Sequence, residues 1–233
     1  MPLRVAVVGF RHGHITSIVK EIAQLDFVEL VGCVEESQDD LQYVKQAGVE
    51  LTHPTVDDLL DDVDFDIMCC GDYYAKRGSL AIKALQAGRH FHTDKPLCTS
   101  MDELRQIKRL TEETGREINV HLSMRFSPNY LAAVRAVRDG RIGQFLCASV
   151  FGQHPLGWPD TRPHWYFEEG KHGGTINDLW IHGCDLLRWI TGLEYESVIA
   201  AECWNARLPE VPFFQDGAQC LMKMTGGPRV FAD

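Results

Sequence analysis

The sequence predicts an α/β protein in which a doubly wound parallel sheet is followed by an α+β domain with a mostly antiparallel sheet. Three observations carry that expectation. Apolar strand-like runs alternate with helical patterns from Leu3 to His121, and the first run ends in a glycine turn, Gly9 to His14. Beyond His121 the alternation stops, and helices, a long loop and strand candidates follow in succession.

Residues 3–8, Leu-Arg-Val-Ala-Val-Val, read as the first strand, and a helix follows the turn to Gln24. Phe27 to Val34 is a second strand that ends at Glu35-Glu36. Ser37 to Gln46 reads as a short helix, and Pro54 begins another with Val56, Leu59 and Leu60 at its apolar positions. Phe65 to Cys70 is a buried-type strand, followed by a helix from Tyr73 to Ala87 that Gly88 stops. His90 to Thr93 leads into Asp94-Lys95-Pro96. Ser100 and Glu103 form a capping-box pattern for a helix to Thr114, and Glu117 to His121 is a further strand. Strands alternating with helices imply a parallel sheet covered on both faces, and right-handed crossovers make it a Rossmann-type domain over 1–122.

The second domain is expected over 123–233. Ser127-Pro128 is a helix start, with Leu131, Val134 and Val137 on one face up to Gly140. Phe145 to Phe151 reads as a strand, and residues 153–174, rich in Pro, Gly, His and aromatics, as a long loop of the kind that borders a pocket. A helix over 175–191 lies between Gly173-Gly174 and Gly192. Strand candidates at Ser197 to Cys203 and Gln219 to Met224 complete a sheet with helices on one face.

Composition narrows the partners. The 233 residues are 45% hydrophobic and 24% charged, an ordinary globular balance. With 23 basic and 33 acidic side chains, the formal net charge is −10, which argues against nucleic acid or an anionic membrane as partner. No apolar stretch has the length of a membrane span. The 8 cysteines form no C-x-x-C pair, and the first strand starts at Leu3, so a reducing cytoplasm without a secretory leader is expected.

Chemistry concentrates at two places. The turn Gly9-Phe10-Arg11-His12-Gly13-His14 has one glycine in the G-x-G-x-x-G frame of a dinucleotide site, with Arg11 and His14 at the other two glycine places. Glu35 ends the second strand, where a carboxylate binds a ribose diol and repels a 2′-phosphate, favouring NAD over NADP; Glu36 is the neighbouring candidate. Gly71 lies at the carboxyl end of the third strand, with Asp72 and Tyr74 placed to edge a ribose or simply to start a helix. In the second domain Asp178, His182 and Asp185 stand at i, i+4 and i+7, on one face of a helix. A lysine, a histidine and a carboxylate beside a dinucleotide would form a hydride-transfer centre.

Three motifs in order carry a family resemblance. They are Asp94-Lys95-Pro96-Leu97, Arg125-Phe126-Ser127-Pro128, and the run from Gly173-Gly174 through Asp178 and His182 to Asp185. The chain resembles the Gfo/Idh/MocA oxidoreductase family of glucose-fructose oxidoreductase and inositol dehydrogenase. The resemblance implies NAD contacts, with NADP as the other option, from Gly9, Phe10, Arg11, His12, Glu35, Gly71, Tyr74 and Lys95. It implies catalysis by Lys95, Asp178 and His182, with Arg125 and Trp165 near the nicotinamide or substrate. The implied substrate is a sugar, polyol or cyclitol, and the implied assembly a homo-oligomer if the second sheet is complete. The chain departs from the family at the turn, at Cys70–Ala75, where the usual Thr-Pro-Asn-x-x-His is absent, and at Asp233, short of the usual family length.

In the implied reaction His182 takes the alcohol proton, Asp178 orients the imidazole or binds substrate, and Lys95 stabilises the alkoxide. Asp185 suits a structural role. Trp158, Trp165 and Tyr166 suit stacking on a sugar ring and equally suit packing. The pairs His12-x-His14 and His90-x-His92 lack a third ligand at a metal-binding spacing, so no metal is expected. Two rivals share the cofactor: a glycosidase using transient oxidation, and a regulator that binds the dinucleotide without catalysis.

Overall fold

The computed structural model describes residues 1–37, 41–152, 154–156 and 162–233. Trp158 and part of the helix expected from Ser37 lie outside the described residues. The chain forms two compact units, one of residues 1–121 with 163–172, the other of residues 122–162 with 173–233.

In the first unit a five-stranded parallel sheet has the order β2-β1-β3-β4-β5, formed by β1 (Leu3–Phe10), β2 (Val28–Val34), β3 (Ile67–Gly71), β4 (His90–Asp94) and β5 (Ile118–His121). The helices are α1 (His14–Ile22), α2 (Gln42–Ala47), α3 (Val56–Asp62), α4 (Tyr74–Gln86) and α5 (Met101–Thr114). Alternation along β1 splits the core. Val5 and Val7 join Ile15, Ile18, Val19 and Ile22 of α1, whereas Ala6 and Val8 join Leu59 of α3, Leu80 and Leu85 of α4 and Ile107 of α5. The i, i+3, i+4, i+7 spacing of the four α1 residues is the stripe such a helix needs. Ser100 Oγ accepts the amides of Asp102 and Glu103, which caps α5. The cap of α3 is Thr55, accepting the Asp58 amide, one residue after the proline expected to begin it.

Strand order reverses between β1 and β3, which opens a crevice at their carboxyl ends. There β1 ends in the glycine turn, β2 runs into Glu35, β3 ends at Gly71, and β4 ends at Asp94. Residues 163–172 belong to this unit, with a 3₁₀ turn over His164–Phe167 that packs Trp165 and Tyr166 against Tyr74.

The second unit has a four-stranded sheet of order β6-β9-β8-β7, formed by β6 (Cys147–Val150), β7 (Tyr195–Trp204), β8 (Gly217–Met224) and β9 (Arg229–Ala232). Both β7–β8 and β8–β9 are antiparallel, and β6–β9 is parallel. The strand β9 was not legible in the sequence because it is four residues long and follows Gly226-Gly227-Pro228. Helix α6 (Pro128–Arg138) packs with α7 (Ile181–Thr191), and Trp180 and Leu187 bury against Met222, Met224 and Val230. The single helix expected over 175–191 is a π turn, Ile176–Trp180, running into α7. Among the described residues no helix is long and apolar enough to cross a membrane.

Candidate active site

The glycine turn is built by two glycines that touch. Gly9 has φ +73°, and a Cβ there would lie 2.6 Å from the Asp72 Cβ. A Cβ on Gly71 would lie 2.5 Å from the Ile15 Cβ and 2.7 Å from the Gly9 carbonyl oxygen. The Arg11 amide donates to the Gly71 carbonyl at 3.0 Å, which fastens the turn to the end of β3. Gly13 differs: its φ of −60° suits any residue, and it precedes α1 as an N-cap that makes no side-chain cap bond. The first amide of α1, that of His14, donates to His12 Nδ1 at 3.5 Å, and Gly13 itself puts no side chain over the helix N-terminus. In its first turn the buried Thr16 hydroxyl has no hydrogen-bond partner among the described residues.

Glu35 closes the turn. Its carboxylate accepts the Phe10 amide at 2.6 Å, the Ser37 amide at 2.8 Å and Arg11 Nε at 3.3 Å, and its side chain has no exposed surface. That occupies three of about four acceptor positions of a carboxylate. The acid expected to meet a ribose therefore also organises the backbone beside it. Arg11 Nε lies 3.4 Å from Asp72 Oδ1, and the guanidinium sits 5.2 Å from the Tyr73 ring centre. Trp165 Nε1 donates to the Arg11 carbonyl at 2.8 Å. A cavity of about 360 Å³ opens here, lined by Arg11, Ser37, Gln42, His164, Trp165 and Lys171 among others. Glu36, the alternative acid, pairs with Lys76 at 2.6 Å and accepts the Val56 amide.

At the end of β4, Lys95 is buried, with Nζ 5.9 Å from the Tyr74 ring centre. The Tyr74 and Tyr166 hydroxyls are 2.5 Å apart, and the His172 ring lies 4.7 Å from that of Tyr166. Arg77, fully buried, explains why Asp94-Lys95-Pro96 holds its place. Its Nε donates to the Asp72 carbonyl at 2.8 Å, and Nη1 reaches the carbonyls of Asp94 at 3.0 Å, Lys95 at 2.6 Å and Pro96 at 3.3 Å. No motif signalled Arg77, because its partners are backbone atoms.

Asp94 meets both histidines of the turn. His14 Nδ1 is 2.9 Å and His12 Nδ1 3.2 Å from the same oxygen, Asp94 Oδ2. Burial pushes the His12 imidazole down to about 3 against the opposing pull of Asp94. Burial alone would raise the Asp94 carboxyl, but the His14 hydrogen bond and the neighbouring positive groups hold it well below the usual carboxylate range. The end of β4 thus brings a carboxylate beside the two histidines of the turn, which sequence spacing did not show.

In the second unit Asp178 is buried in the π turn and His182 is half-buried at the start of α7. Their i, i+4 spacing therefore straddles a change of helix type. Gly174 has φ +91°, and its carbonyl accepts the Asp178 amide at 3.2 Å. The Thr175 hydroxyl donates to the Gln215 carbonyl, pinning the π turn to the β7–β8 connection. Asp185, the third member of the face, is engaged in a bidentate pair with Arg125, whose guanidinium also lies 5.3 Å from the Trp189 ring centre. Arg125 thus ties the 3₁₀ turn Ser123–Phe126 to α7. A separate cavity of about 860 Å³ is lined by Thr175, Leu179, Trp180, Trp204, Arg207 and Asp216 among others; Asp178 and His182 are not part of its wall.

Of the residues singled out by sequence, Gly9, Phe10, Arg11, His12, Glu35, Gly71, Tyr74, Lys95 and Trp165 all belong to the first unit, whereas Asp178, His182 and Arg125 belong to the second. The first set fits an elongated anionic ligand. It offers a helix N-terminus whose N-cap is a glycine, an orphaned hydroxyl in that first turn, and a cavity lined by Arg11 and by the Lys171–Glu168 pair.

Comparison with known proteins matches both units. Residues 3–122 match a family profile described as the oxidoreductase family with NAD-binding Rossmann fold, and residues 130–232 match the GFO/IDH/MocA C-terminal domain. The chain is 26% identical over 149 residues to the 1,5-anhydro-D-fructose reductase of Ensifer adhaerens, covering 64% of this chain and 44% of the relative. It is 29% identical over 175 residues to the scyllo-inositol 2-dehydrogenase (NAD(+)) of Bacillus subtilis strain 168, covering 75% and 48%. The chain thus spans less than half the length of either relative. Among solved structures, myo-inositol 2-dehydrogenase from Lactobacillus plantarum superposes with TM-score 0.85 at 22% identity, over 100% of this chain and 69% of that one. Scyllo-inositol dehydrogenase from Lactobacillus casei, solved with NAD(H) and scyllo-inositol, gives TM-score 0.82 at 19% identity, over 100% and 69%. These structural likenesses establish the fold.

Proposed function

The chain belongs to the GFO/IDH/MocA oxidoreductase family, and on that premise we propose that it is an NAD-dependent dehydrogenase acting on a secondary alcohol of a sugar, polyol or cyclitol. One observation carries the reading: the turn after β1, the acid after β2 and the buried Lys95 after β4 converge at the carboxyl edge of one parallel sheet. The glycine-capped N-terminus of α1 would hold the pyrophosphate, and Arg11 would neutralise part of its charge. Glu35 at the end of β2 favours NAD over NADP, since a 2′-phosphate would meet its charge.

When bound, the nicotinamide supplies hydride acceptance and return. His182 takes the hydroxyl proton at an imidazole nitrogen in oxidation and gives it back in reduction. Asp178 orients that ring or receives a substrate hydroxyl. Lys95 supplies a fixed positive charge that lowers the alcohol's pKa and polarises the carbonyl in the reverse direction; its burial beside the Tyr74 ring strengthens that field. Inositol and anhydro-sugar substrates, the kinds named for the relatives, are the first to try.

The remaining partners follow from charge and surface. A net charge of −10 disfavours nucleic acid. Eight free thiols suit a reducing cytoplasm. Self-association would use the four-stranded sheet, where Val198 and Ile199 of β7 are exposed.

The test is a paired titration with NADH and NADPH followed by tryptophan fluorescence, for which Trp165 is placed on the turn itself. Selective NADH binding, then NAD reduction with one of a panel of sugars and cyclitols, is the expected result. Failure of folded protein to bind either nucleotide would overturn the reading.

A further inference from the structure

We propose that His12, His14 and Asp94 form a binding site for a divalent transition-metal ion of the zinc type. One donor atom from each, an imidazole nitrogen of either histidine and a carboxylate oxygen, lies within 4.8 Å of the others. Two of the separations are 2.9 and 3.2 Å, from Asp94 Oδ2 to His14 and His12. Donors around a tetrahedral zinc, each about 2.0–2.1 Å from the metal, stand about 3.3 Å apart, so the two histidine–Asp94 separations are near ligand spacing before any ion arrives, and the two imidazoles need only a small adjustment to share an ion.

Three further features support the site. The imidazole planes cross at 83° with centres 4.5 Å apart, so the rings converge edge to face rather than stack over each other. Burial differs usefully along the set: Asp94 is buried and anchored through its carbonyl by Arg77, His12 is 12% exposed at its side chain, and His14 is 58% exposed. Two ligands are thus fixed and the third stands at the solvent side, where an ion can arrive and a water can complete the shell. Three protein ligands with an open fourth position is the pattern of a zinc site that exchanges ligands. The positive end of α1 opposes a cation, but its roughly half charge is smaller than the full charge of Asp94. The donor set of two imidazoles and one carboxylate selects zinc, cobalt or nickel over calcium or magnesium, which take oxygen ligands.

The proposal goes beyond the dehydrogenase reading and is tested without nucleotide. Chelator-treated protein is titrated with Co²⁺ alone, followed by its visible d–d absorption, and then with Zn²⁺. One equivalent of Co²⁺ should develop the intense visible bands of a four-coordinate ion, with no thiolate charge-transfer band, and Zn²⁺ should abolish them. His14→Ala, at an exposed position, should weaken binding by at least the roughly 100-fold that loss of an outer-shell partner can cost. Asp94→Asn should do the same. An absent visible band, a thiolate charge-transfer band pointing to the cysteines, or unchanged affinity in His14→Ala would each overturn the site.

Discussion

Glu35 accepts the backbone amide of Phe10 at 2.6 Å, so the carboxylate that follows β2 holds shut the turn that ends β1. Two residues 25 apart in sequence thereby become one structural unit. The same carboxylate carries the expected preference for NAD, which couples cofactor choice to the shape of the turn.

Replacing Glu35 with alanine should therefore cost both stability and affinity. The Phe10 amide would lose a charged acceptor and Arg11 a partner, for a loss of about 2–4 kcal/mol in urea unfolding. NADH affinity should fall at least about tenfold, equivalent to about 1.4 kcal/mol. Unchanged NADH affinity in a folded Glu35→Ala protein would remove the residue from the cofactor site.

The two glycines of the turn should separate folding from binding. Gly9→Ala meets a positive φ and a Cβ 2.6 Å from Asp72, so it should destabilise the protein by about 1–3 kcal/mol. Gly13→Ala has an ordinary φ and its nearest new neighbour 3.6 Å away, so thermal stability should change by no more than about 0.5 kcal/mol. A bound pyrophosphate at α1 would still feel the added methyl group. Loss of NADH affinity in Gly13→Ala at unchanged melting temperature is the expected pair of results.

Arg77→Met should leave four carbonyls without their donor and lower unfolding free energy by about 3 kcal/mol or more. Arg77→Lys should recover only part, because an ammonium cannot span all four at the geometry of the guanidinium. Equal stability of Met and Lys variants in urea would show that the carbonyl contacts contribute little.

Thiol titration and pH dependence should agree. Burial pushes the Cys69 and Cys70 thiols from an ordinary 9.0 to about 12, and Cys33 to about 11. These three should resist an aromatic disulfide reagent at pH 8 until the chain unfolds, whereas exposed Cys147 reacts at once. Because the folded values lie above the unfolded ones, their stabilisation is complete below pH 9 and is lost as pH rises toward 11–12. Each thiol adds a slope of about 1.4 kcal/mol per pH unit in that window. Flat stability from pH 9 to 11 would contradict the burial of these groups.

Local pattern and motif order were enough for the sequence to determine the α/β class, nearly every strand and helix, the change of character after His121 and the family. Periodicity of 2 or 3.6 and the glycine stops are properties of neighbouring residues, so they survive without a fold. Only tertiary structure decided which of the marked residues meet. Asp94 reaches His14 across 80 positions, and Trp165 reaches the Arg11 carbonyl across 154. Asp185 turned to Arg125, and the Asp178–His182 spacing came to straddle a π turn. No spacing rule encodes such contacts, because strand order and the return of a loop set them, and the energies that select them are shared across the whole packed chain.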